Sequence, residues 1–147
     1  MNLNELFKLV GKVHVTVTNE HGEIVEQLAA NTVMTVGKNF TASRMVGVAS
    51  NVMSHMALGS SSANPTDPAQ TALGAELGRV ALTASTATTN VVTYTATFGT
   101  GVATGAVTEA GIFNATPAGT MLCRVVFAVV NKGANDTIAI TWTVTVG

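Results

Sequence analysis

The segment at the end of the chain constrains the fold most. From Thr137 to Val146, the residues Ile138, Ile140, Trp142, Val144 and Val146 alternate with Thr137, Ala139, Thr141, Thr143 and Thr145. Side chains point to opposite faces along a β-strand, so this period of two predicts a strand with one packed face and one lined with hydroxyls. Val13, Val15 and Val17 alternate in the same way with His14, Thr16 and Thr18. Asn19-Glu20-His21-Gly22 is a turn signal, so this strand and Glu23 to Leu28 read as a hairpin. Val92, Tyr94, Ala96 and Phe98 alternate with Val91, Thr93, Thr95 and Thr97, and Val80 to Ser85 precedes them with the same period. Residues 86–90 are then expected to link a second hairpin, and residues 131–136 a third, between Met121–Val130 and the final strand.

Threonine and valine dominate these stretches, and their β-branched side chains suit a pleated surface. In Met121–Val130, Cys123, Val125, Phe127 and Val129 share one face, while Arg124 lies opposite among Leu122, Val126 and Ala128. Two largely apolar faces predict a central strand or one covered by a neighbouring subunit. His55 to Leu58 reads as a further short strand. Val33, Val36, Phe40 and Met45 recur at helical spacing, with Thr32 placed to cap, which predicts a helix near residues 32–45 interrupted by Gly37. Pro68 is expected to open a helical turn through Leu73. About eight short strands and one inserted helix predict a mainly all-β chain, a two-sheet β-sandwich of jelly-roll type. The expected organisation is an N-terminal arm over 1–12, carrying Leu3, Leu6, Phe7, Leu9 and Val10, followed by one sandwich domain over 13–147.

Charge is scarce. Charged residues are 10% of the chain against a usual figure of about 25%, while mean hydropathy is +0.41. A chain this apolar is expected to hide surface against protein partners, including copies of itself as a dimer or trimer. The basic residues are scattered singly and net charge is −1, so neither nucleic acid nor membrane is an expected partner. The single cysteine, Cys123, and a start without a basic head and apolar stretch predict synthesis in a reducing cytoplasm.

Catalysis requires nucleophilic or titratable groups that converge, and the sequence offers no such pattern. His14, His21 and His55 have no metal-ligand spacing, and Asp67 and Asp136 lie in loops where they are expected to stabilise turns. Cys123 reads as a buried structural thiol, with Arg124 projecting to the opposite face. Gly99 to Gly105 has neither the dinucleotide glycine spacing nor a P-loop lysine, and is expected to be a flexible hairpin end. No catalytic, cofactor-binding or metal-binding residue is predicted, and no cofactor. A free carbohydrate-binding module would need exposed aromatics. Trp142, Tyr94, Phe98 and Phe127 are expected inside, which leaves Phe7 and Phe113.

Met56-Ala-Leu-Gly-Ser-Ser-Ser62, Pro65, Asp67-Pro68, Thr71-Ala-Leu73, Glu76 and Arg79 form an ordered series. Glu109-Ala-Gly-Ile-Phe-Asn114, Gly119-Thr-Met-Leu-Cys-Arg124 and Asp136-Thr-Ile-Ala-Ile-Thr-Trp142 continue it. The series resembles small structural proteins of tailed-bacteriophage virions, of the capsid decoration (cement) type, and covers Met56 to Gly147. That resemblance implies a β-sandwich with no enzymatic activity, located at the capsid surface of the virion. Its implied partners are the major capsid protein and further copies of itself. A tail or fibre accessory that binds a glycan is the alternative it leaves open.

Overall fold

The computed structural model describes residues 8–147. These form ten strands and one short helix, arranged as two five-stranded antiparallel sheets packed into a sandwich. The first sheet holds β1 (Leu9–Thr18), β2 (Ile24–Ala30), β6 (Ala84–Thr88), β7 (Val91–Phe98) and β10 (Thr137–Val146), in the order β2-β1-β10-β7-β6. The second holds β3 (Thr32–Val33), β4 (His55–Gly59), β5 (Glu76–Ala81), β8 (Gly105–Phe113) and β9 (Met121–Lys132), in the order β3-β9-β8-β4-β5. The jelly-roll part of the expectation finds no confirmation in this strand order. No helix of the described residues is long and apolar enough to cross a membrane.

The alternating strands place their apolar faces as expected. Val13, Val15, Ile138, Ile140, Trp142 and Phe98 meet Met56, Leu58, Ile112, Cys123 and Val125 from the other sheet in one core. A smaller cluster, Met34, Ala57, Leu73, Phe113 and Met121, lies outside it. Ala57 alternates with the core residues Met56 and Leu58, so this cluster covers the opposite face of the second sheet. That sheet is therefore buried on both faces in its middle, which explains the apolar content of both faces of β9 as far as Phe127; beyond it Val129, expected on the core face, is exposed and Val130 is buried instead.

Several expectations are corrected. The helix α1 runs Thr35–Met45, not from Thr32, and Met34 at its N-cap makes no side-chain cap bond. Thr32 and Val33 instead pair with Arg124 and Cys123 as β3, the state their β-branched side chains favour. Gly37 is not a weak point of the helix but its contact, because a Cβ there would collide with the backbone of Leu122 on β9. Leu9 to Lys12 belong to β1, opposite Val146 to Thr143, so the arm drawn over 1–12 ends before Leu9; its remaining part, residues 1–7, lies outside the described residues. The run Val80–Ser85 is not one strand, since the chain leaves the second sheet after Ala81 and enters the first at Ala84. The hairpin turn to β7 is then Thr89-Asn90, not 86–90. The loop expected over 131–136 is shorter, since Asn131 and Lys132 still belong to β9; residues 133–136 join strands of different sheets and form an arch, not a hairpin, and so do residues 99–104 between β7 and β8. Pro68 opens a turn without helix.

Candidate interaction surfaces

The residues weighed for chemistry lie apart. His14 stands on β1 with Nε2 3.7 Å from Glu26 Oε1, His21 lies in the β1–β2 turn 3.5 Å from Glu20, and Nδ1 of His55 shares a hydrogen bond with Ser54 Oγ at 2.8 Å. Among the described residues no three His, Cys, Asp or Glu side chains gather as a metal site would require. Asp67 Oδ1 accepts from the Ala69 amide at 2.9 Å and Asp136 Oδ2 from the Gly133 amide at 2.7 Å, so both organise turns. Cys123 is buried between the sheets, and burial pushes its thiol up to about 12.

Trp142 and Phe98 are fully buried and Phe127 nearly so, as expected. Phe113 is corrected: it is buried too, with the Arg79 guanidinium 3.8 Å over its ring. Of the two aromatics left for sugar stacking, Phe113 is thus closed off, and Phe7 lies outside the described residues.

Burial also removes charge from the surface. Glu109 on β8 and Arg124 on β9 are fully buried and joined by Nε to Oε2 at 2.9 Å. Glu109 accepts in addition from the amides of Ser61, Gly74 and Ala75, while Arg124 donates to the carbonyls of Ser61, Ala63 and Asn64. The pair therefore fastens the loop 60–75 to the sheet. Arg79 binds Glu76 with two hydrogen bonds and donates to the carbonyls of Ala115 and Ala118, holding the β8–β9 loop. Lys132 is buried at the end of β9, donates to Gly99 O at 2.8 Å, and has its pKa drawn down by that burial. Sequence reasoning placed Arg124 on the correct face and missed its partner. The β8–β9 register shifts between Val107, opposite Val130, and Glu109, opposite Val126, where β9 carries two more residues than β8, and no local pattern signals such a shift.

What remains outside is poor in charge. On the outer face of the first sheet, Thr16, Thr18, Thr137, Thr141, Thr143, Thr145, Thr93, Thr95 and Thr97 sit in register across β1, β10 and β7. None is buried: Thr97 and Thr141 are exposed and the others are half-buried. The ionisable groups of this face, Lys12, His14 and Glu26, stand at its β1–β2 end. Apolar side chains are also exposed in quantity: Leu28 at 82% and Ile24 at 62% on β2, and Met45 at 76% and Val46 at 80% where α1 ends. A groove of about 410 Å³ runs beside α1 between Leu9, Val10, Ala42 and Met45, with Lys8 and Lys38 on its rim. Such surfaces suit protein contact better than solvent. No protein-family model, curated protein or solved structure matches this chain.

Proposed function

We propose that this chain is a non-enzymatic structural protein of a bacteriophage virion, a decoration or cement protein that binds the outer capsid surface. It stabilises the shell through contacts with the major capsid protein and with further copies of itself. The observation that carries this reading is the uncovered threonine face of the first sheet, together with the exposed apolar side chains of β2 and the end of α1. Threonine offers a methyl group for packing and a hydroxyl for hydrogen bonding, and burying it in an interface avoids the desolvation penalty of a charge. The ordered residue series from Met56 to Trp142, which resembles that of phage decoration proteins, supports the capsid location.

The test is addition of the purified protein to capsids that lack it, followed by electron microscopy and thermal inactivation of the particles. Added density on the shell and a higher inactivation temperature are expected. Density on the tail alone would replace the capsid assignment with the tail-accessory one. Absence of density from both would overturn the virion reading.

A further inference from the structure

A sandwich must protect the edge strands of its sheets, because their unpaired N–H and C=O groups otherwise recruit further strands. Three edges of the described residues are protected or unsuitable. β3 has only two residues. β5 carries Glu76 and Arg79, and Ala103 of the β7–β8 connection packs so closely on Gly78 that a Cβ would lie 3.1 Å from it. β2 carries Glu26 beside its midpoint, with Glu23 just before it, so pairing with its own copy about its centre would bring like charges together. The fourth edge, β6, is Ala84-Ser-Thr-Ala-Thr88, with no charge, no proline and no bulge in its pairing with β7. All five residues are exposed. No ionisable side chain except Tyr94 occurs from Leu82 to Thr108.

We infer that β6 is a self-pairing edge, which joins two copies of this chain through an antiparallel β6–β6 ladder about a two-fold axis. A two-fold axis sets each residue near its own image, so a charged edge opposes such pairing and an uncharged one permits it. The face alternation fixes the register. Thr86 and its neighbours at 84 and 88 share the outer face through their partners Thr93, Thr95 and Val91. Centring the axis on Thr86 then sets Thr86 against Thr86, Ala84 against Thr88, and Ser85 against Ala87, with each side chain facing one from its own side of the sheet. The two first sheets become one continuous ten-stranded sheet, and the threonine faces become one surface. Five small residues bury less than the roughly 800 Å² per partner of a standard interface, so the pairing is weak in dilute solution and gains from arrays of copies. The inference rests on the proposed assembly role only in taking a second copy as the occupant.

Cysteine cross-linking tests it. Facing residues in an antiparallel ladder lie within disulfide reach, so Thr86→Cys should oxidise to a covalent dimer about tenfold faster than Thr88→Cys. In this register Thr88 lies four residues from its own image, about 13 Å away. Ala84→Cys combined with Thr88→Cys should link as readily as Thr86→Cys. Wild-type protein should show concentration-dependent dimerisation by sedimentation, and Thr86→Lys should abolish it. Equal cross-linking at 86 and 88, or unchanged self-association of Thr86→Lys, overturns the inference. A wild-type protein that stays monomeric at every concentration also overturns it. Capsid attachment without β6 pairing would leave the proposed function standing and this inference false, and pairing without attachment would do the reverse.

Discussion

Trp142 fills the middle of the core from β10, and its indole Nε1 has no hydrogen-bond partner among the described residues. Its contribution is therefore packing. Trp142→Ala should cost about 3–5 kcal/mol, and Trp142→Phe, which keeps a ring and abandons no hydrogen bond, distinctly less. Urea denaturation of the two variants checks the order. Glu109 and Arg124 illustrate the other way a residue is held inside. Arg124→Ala would leave a buried carboxylate without its guanidinium, at a cost of about 3–5 kcal/mol, and would free the loop 60–75 for proteolysis. Limited digestion with the cut site mapped by mass spectrometry reads that second effect. Cys123 adds a pH dependence. Burial raises its pKa from 9.0 to about 12, and that of Tyr94 from 10.0 to about 12. Between the unfolded and folded values the unfolded chain releases these protons while the folded chain retains them. Stability therefore falls as pH rises above about 9, by about 1.4 kcal/mol per pH unit for a single fully buried group. Cys123→Ala should flatten that decline in denaturation series from pH 8 to 11, even if it lowers stability at pH 8.

At the scale of elements, alternation made most strands legible. β1, β7 and β10 each pack one face on the core, and their period of two shows directly in sequence. What the period cannot carry is which sheet a strand joins. Ala81 and Ala84 continue the same alternation, yet a bend at Leu82-Thr83 puts them in different sheets, and the arch at 133–136 has the composition of a hairpin loop. Sheet membership is set by long-range pairing, which leaves no local trace. The start of β1 was obscured because Gly11 interrupts the valine alternation. Pairing with β10 nonetheless extends the strand back to Leu9. Removal of residues 1–12 should consequently strip the first four residues of a central strand and lower the melting temperature sharply. Removal of 1–7 should leave β1 and the near-ultraviolet circular dichroism intact. A 1–12 deletion that melts like the full chain would show that the Leu9–Lys12 pairing contributes little.

At the scale of the whole molecule, the scarcity of charge in the sequence persists on the surface. Glu109, Arg124 and Lys132 are buried, and Arg79 is largely covered, so part of an already small charge complement serves internal fastening. The composition made a charge-poor surface legible, but the faces that carry it emerge only from the register of β1, β10, β7 and β6. Association through such faces depends on excluded apolar area and hydroxyl hydrogen bonds, neither of which is screened by salt. Electrostatic association weakens as the Debye length shrinks from about 10 Å at 0.1 M to about 3 Å at 1 M. Self-association and particle attachment should therefore survive a rise to 1 M sodium chloride, and sulfate at equal ionic strength should strengthen them by favouring burial. Sedimentation and particle pull-down across the two salts provide the measurement. Release by sodium chloride would transfer the binding role to the few exposed charges, chiefly Lys8, Lys12 and Lys38 near the start of β1 and on α1, and away from the threonine face.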